Sequence, residues 1–139
     1  MKNHAVVAIL ATLATLAAAD AGAGMYSQPW ALAEAGNPSP NREERGVAVT
    51  QIDGRSARRN DPVTPGKHTV RLHFESARGV FKPEFKELEI DFQPCTRYRF
   101  VAHVDTPTGP EWQPRVHTEP IGECRAKFMK GKPAEKPAK

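Results

Sequence analysis

Among 139 residues there are only two cysteines, two tryptophans and two tyrosines, and no unbroken apolar run reaches 18 residues. Each scarcity excludes something. Two thiols are too few for a four-cysteine zinc site or an iron–sulfur centre. Without a long apolar run no segment reads as a membrane-spanning helix. A Gly-rich phosphate loop, a nucleophile elbow and a His-Glu-x-x-His pair are all missing, so the common NTPase, hydrolase and zinc-protease signatures do not apply. Apolar residues make up 39% of the chain and charged residues 26%, a composition compatible with one small folded domain.

The N-terminus is organised as an address. Met1-Lys2-Asn3-His4 is a short cationic start, and apolar or small residues follow from Ala5 to Ala19. That run spans about 22 Å as a helix, short of the roughly 30 Å hydrocarbon core. The layout predicts a secretory signal peptide over 1–21, cleaved after Ala21, with Ala19 and Ala21 as the small residues at −3 and −1. Ala17-Ala18-Ala19 and Ala21-Gly22-Ala23 are competing sites. The expected localisation is periplasmic or secreted.

Export decides how the thiols are read. In an oxidising compartment an even pair of cysteines is expected to be bridged, so Cys95 and Cys124 are expected to form a structural disulfide.

Strand patterning dominates the middle of the chain. Val70, Leu72 and Phe74 alternate with Thr69, Arg71, His73 and Glu75, the period of a half-buried strand. Leu88, Ile90 and Phe92 repeat the pattern against Glu87, Glu89 and Asp91. Tyr98, Phe100, Ala102 and Val104 repeat it against Arg97, Arg99, Val101, His103 and Asp105. Val47 to Ile52 is β-branched and ends in the turn dipeptide Asp53-Gly54, and Pro65-Gly66 suits a type II turn. Glu111 to Thr118 reads as a shorter strand with Trp112 and Val116 inward, which Pro114 confines to an edge. These elements predict an all-β chain: a small antiparallel β-sandwich (Ig-like or transthyretin-like) or a partly open barrel. Residues 22–45 are expected to be a connecting arm, with Ala31–Ala35 as a helical turn and Trp30 packed on the domain. The β-domain is placed at 46–124, Arg55–Pro62 is read as a loop, and 125–139 as a basic disordered tail.

The run Val47 to Phe74 resembles the PEGA-type β-module, a small exported or surface-associated domain. Ile52-Asp53-Gly54 matches that module's strand and turn, and Val63-Thr64-Pro65-Gly66-Lys67-His68-Thr69-Val70 its next turn and strand. The Pro-Glu-Gly-Ala tetrad itself is absent. The resemblance implies a non-catalytic β-domain and carries over no functional residues.

Candidate chemistry is sparse. His73 and His103 share the outward parity of their strands, and would approach one another if those strands paired, with Asp105 or Glu75 nearby; copper or zinc would accept such a group. Solvated strand histidines are the simpler reading, so no metal or cofactor is assigned. Glu87, Glu89 and Asp91 are expected to form cross-strand ion pairs with neighbouring arginines such as Arg97 and Arg99. The net charge of +4 divides unevenly: residues 125–139 carry six basic side chains and one acidic, whereas 22–124 carry 13 basic and 14 acidic. The folded part has no cationic excess to steer nucleic acid, so no nucleic-acid partner is expected. The reading that follows is an exported, monomeric, non-enzymatic β-domain that binds or supports a protein or polymer of the cell envelope. Its contacts would come from the loops Arg55–Pro62, Arg78–Glu84 and Thr106–Glu111 or from an open sheet edge. The alternative is a periplasmic metal-binding protein using the strand histidines.

Overall fold

The computed structural model describes residues 24–74, 84–105 and 111–130. The expected signal peptide, its cleavage point, the loop residues 75–83 and 106–110 and the tail from 131 lie outside the described residues. The described elements are strands β1 (Ala31–Ala35), β2 (Glu44–Gly46), β3 (Ala48–Ile52), β4 (Arg55–Ser56), β5 (Pro62–Val63), β6 (Gly66–His73), β7 (Phe85–Phe92), β8 (Thr96–His103) and β9 (Gln113–Pro120), followed by helix α1 (Gly122–Phe128).

They form two sheets facing one another, a sandwich rather than a closed barrel. One sheet is antiparallel throughout, in the order β4-β3-β6-β7. The other is built on β8. Along one edge β8 pairs antiparallel with β9 over its whole length, from Thr96↔Pro120 to His103↔Gln113. Along its other edge it pairs first with β1, in parallel, and then with β2, antiparallel. β5 adds outside β1.

The alternating residues face where their parity requires. Val70, Leu72 and Phe74 from one sheet meet Tyr98, Phe100, Ala102 and Val104 from the other, all buried, with Trp112 stacked on Phe74 at 5.4 Å. Leu88 and Ile90 are only partly buried because β7 is an edge strand of the described sheet. Asp53 and Gly54 both have positive φ, as a two-residue hairpin turn demands, and close β3 onto β4. Pro114 is accommodated because, among the described residues, β9 pairs only with β8.

Three expectations need correction. Ala31–Ala35 is a strand, not a helical turn, and residues 22–45 are no mere arm, since they supply β1 and β2. The local preference of Ala, Leu and Glu is helical. Burial overrides it: Ala31 and Ala33 enter the sandwich core while Leu32 packs on the opposite face with Trp30, Cys95, Ile121 and Cys124. Arg55–Pro62 is not all loop, because its ends form β4 and begin β5. The C-terminal segment is also ordered further than expected: α1 runs to Phe128, which packs with Met129 against that second cluster.

The disulfide links Cys95 to Cys124, with Cα atoms 5.2 Å apart. Cys95 is a junction as well as a thiol. Its N–H donates to the Trp30 carbonyl (2.7 Å), its carbonyl accepts from the Ile121 N–H (2.9 Å), and its sulfur holds α1. The start of β8 is thereby fixed to the residue before β1 and to the chain leaving β9. Closing a loop of this length stabilises a chain by about 3.6 kcal/mol in the loop-entropy picture. The Cys95→Ser/Cys124→Ser variant is expected to lose about 3–4 kcal/mol in urea unfolding, and the native protein to melt lower in reductant. A melting temperature indifferent to reductant would remove the staple from this account.

Candidate functional site

One open feature lies beside the outer edges of β1 and β3. β5 accompanies β1 only at Ala31↔Val63 and Leu32↔Pro62, so Ala33 to Ala35 continue without a neighbour on that side among the described residues. β4 likewise pairs with β3 at Gln51 and Ile52, and among the described residues Ala48 and Val49 pair with β6 alone. Between these edges is a groove of about 570 Å³. Small side chains line it (Ala33, Ala35, Ala48, Val49, Ala57), together with Asn37, Asn60, Arg58, Arg59, Arg99 and a single acid, Glu34. Glu34 is held by Arg97 at 3.5 Å and Arg99 by Glu119 at 2.9 Å. Arg58 and Arg59 are exposed and make no ion pair among the described residues. The groove is therefore cationic in balance.

The chain between β1 and β2 forms one end of this groove and folds over the outer face of β8. Gly36 permits the crossing: its N–H donates to the Phe100 carbonyl (2.8 Å), and a Cβ there would stand 2.8 Å from Val101 Cγ1 and 3.2 Å from that carbonyl. Glu44 ties the excursion down. Its carboxylate is buried, accepting from the Ser39 N–H (3.0 Å) through Oε2 and from His117 Nε2 (2.7 Å) through Oε1. Burial pushes the Glu44 carboxyl up, but the His117 and Ser39 hydrogen bonds and the charges of His117 and Arg42 outweigh it and hold the group below its ordinary 4.5. Further along the same face Glu119 accepts from Arg97 (2.8 Å) and Arg99 (2.9 Å), which lowers its pKa as well.

The sequence-derived candidates fall elsewhere. His73 and His103 do not come together, because β6 and β8 belong to different sheets. His73 bonds Glu84 (2.6 Å) and stacks on Phe85. His103 bonds Asp105 (2.8 Å), with Glu43 at 4.0 Å. One donor atom from each of Glu43, His103 and Asp105 lies within 4.8 Å of the others, although both carboxylates are largely exposed. Arg97 and Arg99 pair with Glu119 and Glu34, not with the β7 carboxylates. The chain crosses between sheets after Phe92, so β7 and β8 are not neighbours, and Glu89 pairs with Lys67 instead.

One constellation imitates a catalytic triad. His68 Nδ1 faces Asp53 Oδ2 and His68 Nε2 lies 3.2 Å from Thr64 Oγ1. The same Nε2 lies closer, 2.8 Å, to the Thr64 carbonyl oxygen, an acceptor to which it must donate. Nε2 is thus shared between a carbonyl and a hydroxyl oxygen, not aimed at the hydroxyl alone. The group is structural: Asp53 also accepts from the Thr69 N–H (2.9 Å), fastening the β3–β4 turn to β6, and the His68 and Thr69 hydrogen bonds hold its carboxyl below the ordinary value.

No protein-family model, curated protein or solved structure matches this chain. Sequence reading singled out the Arg55–Pro62 loop and a sheet edge as contact surfaces, and Arg58 and Arg59 belong to that loop. It missed the β1 edge and Glu44, whose roles depend on partners far away in the chain.

Three outcomes are expected. Gly36→Ala should destabilise the fold by about 1–3 kcal/mol in urea unfolding, since backbone and a buried valine meet the added carbon. The lowered pKa values of Glu44, Asp53 and Glu119 mean that the folded chain binds these protons less readily than the unfolded chain. Their contribution is complete above the ordinary carboxylate values and is lost as pH falls through the folded ones. The urea midpoint should therefore hold from neutrality to about pH 5 and fall at lower pH. Glu44→Gln should cost about 1–3 kcal/mol at neutral pH and flatten part of the acid limb; an unchanged limb would show that Glu44 does not carry it.

Proposed function

We propose that this protein is an exported, non-enzymatic β-sandwich that binds a component of the cell envelope, and that the groove between the β1 and β3 edges is where it binds. The observation that carries the reading is the pair Arg58 and Arg59, exposed at a groove of about 570 Å³ without an ion-pair partner among the described residues. Elsewhere on the outer face of the β8 sheet, buried or half-buried charge is answered: Glu44 by His117, Glu119 by Arg97 and Arg99. Unanswered cations beside a concave surface favour an anionic ligand. Export is supported by the N-terminal pattern and is consistent with the disulfide. The two-sheet order supports an Ig-like or transthyretin-like sandwich, and residues 47–74, which fold as β3 to β6, fit the PEGA-like resemblance.

The test is retention on envelope. Full-length protein expressed with its N-terminus should be recovered from the periplasmic or secreted fraction with a mature chain beginning at Gly22. When the purified mature chain is mixed with washed envelope fragments, it should co-sediment, and Arg58→Glu/Arg59→Glu should reduce the retained fraction by about tenfold with an unchanged melting temperature. Equal retention of the variant would overturn the groove as the binding surface.

A second reading, cation binding, is favoured by one observation, the convergence of Glu43, His103 and Asp105. Equilibrium dialysis against zinc and copper decides it. Stoichiometric binding lost in His103→Ala and kept in His73→Ala supports it, and no binding ends it.

A further inference from the structure

We infer that the occupant of the groove is an extended acidic peptide segment, which adds as a strand to the open edge of β1 beyond β5 and places carboxylates against Arg58 and Arg59. This deepens the envelope-binding reading and rests on it.

The backbone supplies the first argument. In the parallel β1–β8 ladder the Gly36 N–H donates to the Phe100 carbonyl, and Leu32 to Ala35 stand opposite Arg97 to Phe100. Since strand residues alternate the side to which they direct N–H and C=O, Leu32 and Glu34, like Gly36, turn theirs toward β8. Ala31, Ala33 and Ala35 turn theirs the other way. Ala31 meets Val63 of β5 there; Ala33 and Ala35 meet no strand among the described residues. Their donors and acceptors open into the groove.

A free strand edge is a template for another extended chain, and proteins that do not use one usually blunt it. Two other described edges, those of β9 and β7, are blunted. Pro114 and Pro120 interrupt β9. β7 carries Glu87, Glu89 and Asp91 on its exposed face, and pairing it antiparallel to a second copy with the parity of its faces kept would set carboxylate against carboxylate. β1 at Ala33–Ala35 has no proline, and its one large side chain, Glu34, is held by Arg97. Its methyl side chains and the nearby Ala48, Val49 and Ala57 leave room for an incoming backbone.

Charge supplies the second argument. Arg58 and Arg59 lie on the segment between β4 and β5, which lines the groove, and two guanidinium groups offer forked donors to carboxylates. Main-chain pairing with an unpaired edge gives such a mode its affinity, while flanking side-chain contacts give it preference. The chain's own segment from 131 to 139 is excluded as occupant by sign, carrying three lysines and one glutamate.

The experiment selects from a displayed library of random decapeptides on the mature protein, with counter-selection on Arg58→Ala/Arg59→Ala. Enriched sequences are expected to carry acidic residues at alternate positions. A synthetic peptide of the consensus should bind in fluorescence anisotropy, about tenfold more weakly to the double variant. N-methylation of alternate peptide amides should abolish binding, because it removes the ladder and keeps the charge. Ala35→Pro should do the same from the protein's side: it deletes the N–H facing the groove and leaves the donors of Glu34 and Gly36 on β8. In amide spectra the largest shifts should fall at Ala33 and Ala35. No enrichment, enrichment of basic sequences, or binding indifferent to N-methylation would overturn the strand-addition inference. If envelope retention still depended on Arg58 and Arg59, the groove reading would stand with an anionic polymer as ligand; if retention did not depend on them, the groove reading itself would fall.

Discussion

The fold depends on one constraint: β8 must be covered on both faces and both edges. Phe100, Val101 and Ala102 are consecutive and wholly buried, although their side chains alternate in direction. A strand of that kind cannot sit at the surface of a two-layer sandwich without a third covering. The inner face meets the opposite sheet. The outer face is covered in two pieces, the disulfide-held helix at the start of the strand and the chain between β1 and β2 near its end.

Those two coverings use different physics. At the Cys95 end the covering is apolar: Trp30, Leu32, Ile121 and Phe128 gather round the disulfide. At the Val101 end the covering is polar backbone, brought close by Gly36 and anchored by the buried Glu44 carboxylate. A buried carboxylate is costly unless its oxygens are answered, and here Ser39 and His117 answer them. Glu44 therefore joins β2, the excursion before it and β9, three segments that local sequence does not connect. Between the two coverings Arg97 and Arg99 share Glu119, so the ionic surface is continuous with the structure beneath it.

The groove follows from the same constraint. β1 and β2 divide one edge of β8 between them, and the chain turns outward where they part. β5 stops at Val63, leaving the second half of β1 without an outer neighbour among the described residues. An open edge beside two arginines that make no ion pair among the described residues is thus a by-product of how β8 is covered.

Much of this was legible in the sequence, and some was not, for identifiable reasons. Period-two alternation marked β6, β7 and β8 and their inward residues, because burying one face of a sheet imposes that period directly. Asp53-Gly54 and Pro114 announced a turn and an edge through their own backbone preferences. The pairing of Cys95 with Cys124 needed only an even count and the expectation of an oxidising destination. Ala31–Ala35 could not be recognised: its residues favour helix, and only burial on both faces beside β8 makes it a strand. Nor could the fate of His73 and His103, since parity fixes the face of a strand but not the sheet it joins. The sequence by itself determined which segments are strands where a half-buried face dictates the pattern, and where the covalent staple lies. Which strands neighbour one another, why Glu44 is buried, and where an edge is left open were decided by tertiary structure alone. Each depends on contacts between segments far apart in the chain, as Glu44 and His117 are at a separation of 73 positions.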